Sequence, residues 1–209
     1  EKEWRRERTM ANRAAYIAGW SFYYSGFLNE VSPEGKEYSK ARVLFRRILG
    51  VDPDENLSEV DAETLELSAE YLAKTVIGLG LAEAGSGHVN ESRTCFRWLE
   101  HASVAPQIRD EAGHWYVRGL VNAGEYGEAL QFAARKVNRF SSDATGGKIG
   151  LCVALVQAAH GPAQGSKDAT EMSQVGINGL AKLGQQQIIV TLMARHNIEI
   201  GPGAGIVLQ

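Results

Sequence analysis

Three segments of this 209-residue chain carry the same helical pattern, and that repetition limits the fold more than any other feature. Tyr38, Ala41, Phe45, Ile48 and Pro53 are spaced 3, 4, 3 and 5 residues apart. Val89, Ser92, Phe96 and Leu99 follow at 3, 4 and 3, and Tyr126, Ala129, Ala133 and Val137 at 3, 4 and 4. Such spacing puts each set on one face of a helix. A bulky residue stands at the turn and a small one lies a turn further in. The small residue lets two helices approach closely while the bulky ones fill the groove beside the contact. Gly87 and Gly124 each stand two residues ahead of the bulky position, and the copies start 51 and 37 residues apart. A fainter fourth copy runs from Gly165 through Thr170, Gln174 and Ile177. Recurrence at this interval is the mark of stacked similar units.

The rest of the chain agrees. Helical periodicity predicts helices near 3–30, 36–50, 62–84, 89–103, 108–123, 126–139, 144–159, 166–183 and 185–196, with little strand-like alternation. Pro33, Pro53, Pro106 and Pro162 fall between these segments, where they punctuate helices without interrupting them, and Pro202 lies in the tail. Ser58 or Asp61 is placed to cap the third helix, with Asn90 or Ser142 doing so further on. Gly50, Gly85, Gly124 and Gly161 sit where left-handed caps or tight turns are wanted. Short connections imply antiparallel neighbours.

On these residues the chain resembles the tetratricopeptide repeat family, whose unit is a helix–turn–helix of about 34 residues. Gly124-Glu125-Tyr126-Gly127-Glu128-Ala129-Leu130 is similar to that family's mid-repeat turn. Glu37-Tyr38-Ser39-Lys40-Ala41, with Leu44-Phe45 through Asp52-Pro53, is similar to its second helix and closing Asp-Pro. Leu79-Gly80 and Trp115-Tyr116…Gly119 look like its first-helix elements. The departures are about 17 extra residues between the first two copies, a misplaced Gly119 and an eroded last copy. Stacked helical hairpins of the HEAT or a generic kind are the rival. The resemblance implies an all-α, right-handed α-solenoid of about eight or nine helices. It would be a single domain over 1–200, with hairpins near 3–53, 62–104, 108–140 and 144–183.

Composition removes several other classes. Two cysteines, Cys95 and Cys152, build no disulfide framework, and a net charge of −3 argues against a general nucleic-acid binder. No stretch approaches the ~20 apolar residues of a membrane-spanning helix, so no membrane insertion is expected. The chain begins Glu-Lys-Glu-Trp without Met or an apolar leader, and residues 201–209 follow a Gly/Pro break. Both ends read as cut from something longer. The chain reads as soluble, cytoplasmic or exported after loss of a leader.

Chemical motifs are sparse. His88, His101, His114, His160 and His196 form no pair on one helix face of the kind a metal needs. Gly85-Ser86-Gly87 is too short for a nucleophile elbow, and Gly146-Gly147-Lys148 lacks the spacing and the preceding strand of a phosphate loop. Cys95 and Cys152 lie on apolar-periodic helices and read as small buried residues. No catalytic residue, metal site or cofactor is expected. Asp52, Asp54, Glu55, Glu59, Asp61, Glu63, Glu66 and Glu70 form an acidic run with no Lys or Arg between 48 and 73, read as an exposed insertion before a helix start. Lys2, Arg5, Arg6, Arg8 and Arg13 make a basic patch diluted by Glu1, Glu3 and Glu7. Tyr16, Trp20, Phe22, Tyr23, Tyr24 and Phe27 wrap the first helix, as core packing or as one edge of a binding groove.

The resemblance implies that first helices line a concave groove for a peptide or partner subunit. Stacked hairpins make such an extended surface on physical grounds as well. The candidate groove residues are His114, Arg118 and Asn122 at i, i+4 and i+8, the matching Lys74, Ile77 and Leu81, and Tyr23 on the aromatic helix. The expected function is a non-catalytic protein-interaction scaffold. The alternatives are a structural segment of a larger repeat protein and a helical enzyme with its pocket at the aromatic helix. The expected partner is a protein or peptide, with a homo-oligomer or further repeats stacked on the C-terminal hairpin. All 17 aromatics lie at or before Phe140, and 11 of 23 glycines lie after it, so the C-terminal part is expected to pack through small residues.

Overall fold

The computed structural model describes residues 2–28 and 36–198, with side chains from residue 9 onward. Pro33, Pro202, the 201–209 tail and the side chains of Lys2, Arg5, Arg6 and Arg8 lie outside the described residues. The described residues are all-helical. They form α1 (Lys2–Leu28), α2 (Lys36–Leu49), α3 (Glu70–Gly85), α4 (Val89–Trp98) and α5 (Pro106–Asn122). These are followed by α6 (Tyr126–Asn138), α7 (Gly146–Ala159), α8 (Ala169–Lys182) and α9 (Gln186–His196). Two 3₁₀ turns, Leu57–Glu59 and Ala62–Leu65, lie between α2 and α3. The chain divides into two compact units between Ala112 and Gly113, inside α5.

In the first unit α2 packs on both α1 and α3, α3 packs on α4, and α1 also reaches α3. Two rings of α2 hold this arrangement. The fully buried Phe45 ring lies where a methyl group on Gly19 would be 2.7 Å away and one on Gly78 2.6 Å away. The Tyr38 ring stands in the same way between Gly26, at 3.1 Å, and Gly85, at 2.7 Å. The rings are seven residues apart, and so are the glycines on each flanking helix, so one helical period matches three elements. Trp20 and Tyr23 of α1 complete the cluster edge-on and tilted, 5.7 Å from Phe45 and 5.8 Å from Tyr38. Phe96 of α4 repeats the device against Gly80, at 2.8 Å.

The second unit packs α7 on α8, α6 on both, and α9 on α8. Here the close approach of α7 and α8 is made at small residues. A methyl on Gly176 would lie 2.7 Å from the Cys152 carbonyl oxygen, and Gly179 sits directly against Cys152 Sγ. Ala129 and Ala133, the small members of the third repeat copy, are fully buried, as is Ala41 of the first.

Several local expectations need correcting. Residues 62–84 are not one helix. Glu66 adopts a left-handed φ of 48° after the second 3₁₀ turn, which stops helix growth, and α3 starts only at Glu70. Asp61 does cap, but it caps that 3₁₀ turn through the Glu63 amide, 3.0 Å away. Asn56 caps the preceding turn through Ser58 N. Thr145, not Ser142, caps α7 by accepting from Lys148 N at 3.3 Å. Asn90 lies inside α4, where its side chain accepts from Arg93. Gly85 is the last residue of α3 and packs on Tyr38, while the left-handed turn position belongs to Gly87, at φ 81°.

Candidate functional site

The insertion between α2 and α3 builds a cleft of about 930 Å³ in the first unit. One wall is α1, which contributes Thr9, Asn12, Arg13 and Tyr16, at i, i+3, i+4 and i+7 and so along a single face. The last turn of α2 supplies Ile48 and Leu49. The second 3₁₀ turn supplies Thr64, Leu65 and Glu66, and the start of α3 supplies Tyr71 and Leu72. Ile48, Leu65 and Leu72 are buried and form an apolar floor. Tyr71 stands exposed at the rim. Arg13 is exposed and has no ion-pair partner among the described residues. The cleft therefore offers one available guanidinium, one carboxylate and two phenols above hydrocarbon, in the size range of small-ligand sites.

The insertion is fixed from beneath by a buried charge cluster that the repeat pattern does not reveal. Glu83 of α3 is completely buried. Its Oε1 accepts from Arg46 Nε at 3.2 Å and Nη2 at 3.0 Å, and its Oε2 lies 2.7 Å from Arg42 Nε and 3.0 Å from His88 Nδ1. Arg46 Nη1 then donates to the carbonyl oxygens of Asp52, at 3.0 Å, and Glu55, at 2.7 Å. From the other side the Glu91 carboxylate accepts from the Leu57 amide at 3.0 Å. The acidic run is thus a tethered loop. Its carbonyls, not its carboxylates, meet the cation. The signal in the sequence was a lone carboxylate, Glu83, within an otherwise apolar stretch of α3.

The sequence-derived groove residues take varied positions. Ile77, Leu81 and Tyr23 lie in the core of the first unit. Lys74 is held by Glu70 at 2.8 Å, and that bond raises its pKa. In the second unit His114 is half-buried, with its ring against Gly150 and stacked on Trp115 at 5.1 Å. Burial, and secondarily the Arg118 charge, push its pKa down to about 4. Arg118 covers the Trp115 ring at 5.3 Å, and Asn122 is exposed. Lys74, Ile77 and Leu81 belong to the first unit and His114, Arg118 and Asn122 to the second.

Comparison with known proteins finds no matching family model, no similar curated protein and no similar solved structure.

The other histidines are engaged locally. His101 Nδ1 meets Ser103 Oγ at 2.8 Å, and His160 stacks on His196 at 5.2 Å while its Nε2 meets Ser173 Oγ at 3.1 Å. Cys95 and Cys152 are both buried, and burial raises both thiol pKa values, that of Cys152 to about 12. Among the described residues no group of three His, Cys, Asp or Glu is arranged to hold a metal ion, and no helix is long and apolar enough to cross a membrane.

Proposed function

We propose that the chain is a tetratricopeptide-like protein-interaction module. On this reading it binds, without chemistry, a peptide that carries both an apolar side chain and a carboxylate. The observation that carries this reading is the cleft on α1, where Arg13, with no ion-pair partner among the described residues, stands with Tyr16 and Tyr71 over a floor of Ile48, Leu65 and Leu72. A guanidinium binds a carboxylate in a two-pronged geometry, and tyrosines suit sites that are part apolar and part hydrogen-bonding. The repeat assignment is supported by the packing of equivalent positions. Phe45 and Phe96 occupy the same place in successive copies, and each closes on a glycine of a neighbouring helix. The same cleft is where a helical enzyme would keep its chemistry. Among the described residues its lining holds no histidine, cysteine or lysine, and the reading therefore favours docking over acid–base work.

Selection from a random peptide library on the purified chain tests this. Enriched sequences are expected to share an acidic residue, or a free C-terminus, next to an apolar one. Arg13→Ala is expected to weaken their binding about tenfold, in line with loss of a charge-assisted hydrogen bond. Unbiased sequences, or binding indifferent to both Arg13→Ala and Tyr71→Ala, would sink the reading.

A further inference from the structure

The face of α1 turned away from the core carries a second, unused pattern. Met10, Ala14, Ile17, Ser21, Tyr24 and Leu28 are spaced 4, 3, 4, 3 and 4 residues apart, and all six are exposed. The four large ones are 64%, 59%, 43% and 75% exposed, which is unusual for a single helix face. A 4–3 alternation is the spacing of a coiled-coil seam. It faces away from Gly19, Tyr23 and Gly26, which pack inward, and it leaves the cleft residues Asn12 and Tyr16 to one side.

We propose that this seam binds the same seam of a second copy of the chain, antiparallel, about a two-fold axis passing beside residue 19. The argument is self-complementarity. Turned end for end about that point, Ala14 faces Tyr24, Ile17 faces Ser21 and Met10 faces Leu28. Large meets small in the inner layers and large meets large at the ends. A two-fold contact requires that residue i meet j while j meets i, and these three pairings satisfy it together. Charge permits it. Between Thr9 and Leu28 the only charged residue is Arg13, and the two-fold sets the two copies of it at opposite ends of the seam. Ser21 costs little to bury because its hydroxyl already donates to the Ile17 carbonyl oxygen at 2.9 Å. The seam is about 27 Å long at 1.5 Å per residue. The pair covers on the order of 1,000 Å², near the lower limit for a specific interface, so a reversible dimer is expected.

Sedimentation equilibrium of the full chain over a wide concentration range, with disulfide trapping, tests the proposal. The expected result is a monomer–dimer equilibrium. Ile17→Glu and, separately, Ala14→Arg should each raise its dissociation constant by about 30-fold or more, with helicity by circular dichroism unchanged. Mixing a chain carrying Ala14→Cys with one carrying Tyr24→Cys should give the mixed disulfide in preference to either like-with-like product. A chain that stays monomeric at every concentration, a dimer indifferent to both seam variants, or preferential joining of Ala14→Cys to itself would overturn it. The last outcome would mean a parallel pair. A monomer would leave the seam to a different protein segment.

Discussion

At the scale of single residues, Glu83 is the most consequential group. It sits without solvent among Arg42, Arg46 and His88, and the position of the insertion depends on that cluster. Glu83→Gln keeps the shape but removes the charge that two guanidinium groups share. Breaking a buried ion pair on one side leaves an uncompensated charge, so a loss of about 3 kcal/mol is expected. Urea titration of parent and variant checks it, and a change within error would show that water reaches the cluster. His114 makes a different prediction. Its folded pKa of about 4 lies below its ordinary value of 6.5. Between those values the unfolded chain takes up a proton that the folded chain does not. Stability therefore falls as pH drops through that window and levels off below it. For a partly exposed ring the loss is about 1–2 kcal/mol after solvent screening. His160 is lowered by burial and by His196 and adds in the same direction. The test is thus the difference between parent and His114→Gln, whose stability should decline less steeply from pH 6.5 to 4.

At the scale of elements, the two aromatic rings of α2 decide how three helices meet. Gly78→Ala puts a methyl group 2.6 Å from Phe45, with Gly19 closing the other side, so the ring has no free direction in which to move. A loss of about 1–3 kcal/mol is expected from overpacking. Phe45→Ala leaves a hole of the opposite sign and should cost about 3–5 kcal/mol. If Gly78→Ala stabilises the chain through helix propensity alone, the packing account is wrong. Thermal melts of the two variants separate these outcomes. The helices themselves were legible because periods of 3 and 4 with Pro and Gly between them leave few other readings. The boundary between 62 and 70 was not, because Glu66 entering a left-handed turn is set by Leu65 and Leu67 both reaching the core, a tertiary demand. Likewise Arg13 and Tyr16 were visible as polar and aromatic residues of α1. That they line a cleft depends on where the insertion folds, and local spacing carries no information about that. Ile77 and Leu81 show the reverse case. A stripe matched by repeat alignment landed in the core because α3 packs on α1, α2 and α4 at once and is buried on most of its circumference.

At the scale of the whole molecule, the chain consists of two compact units, one with aromatic rings at the centre of its helix contacts and one with a mainly aliphatic core whose closest helix contacts form at glycine and cysteine. Each unit holds one buried cysteine, Cys95 in the first and Cys152 in the second. Neither should react with a thiol reagent at neutral pH in the native state, since only the thiolate attacks and both thiols are held protonated. Single-cysteine chains, made with Cys152→Ala or Cys95→Ala, then report the opening of each unit in urea. The expected result is a lower midpoint for Cys152, whose unit has fewer large side chains to bury. Coincident midpoints would show that the two unfold as one block.

The tether beneath the cleft has a practical consequence for protein engineering. Arg46 grips the insertion through the carbonyls of Asp52 and Glu55, and Glu91 grips it through the Leu57 amide. Because these are main-chain contacts, the loop's exposed side chains other than the caps Asn56 and Asp61 can be varied while its path is kept, whereas Val51, Leu57, Leu65 and Leu67 are buried and hold it to the core. Transplanting the insertion to another helical protein would require moving Arg46, Glu83 and Glu91 with residues 50–69. A graft of the loop alone would arrive without its anchors.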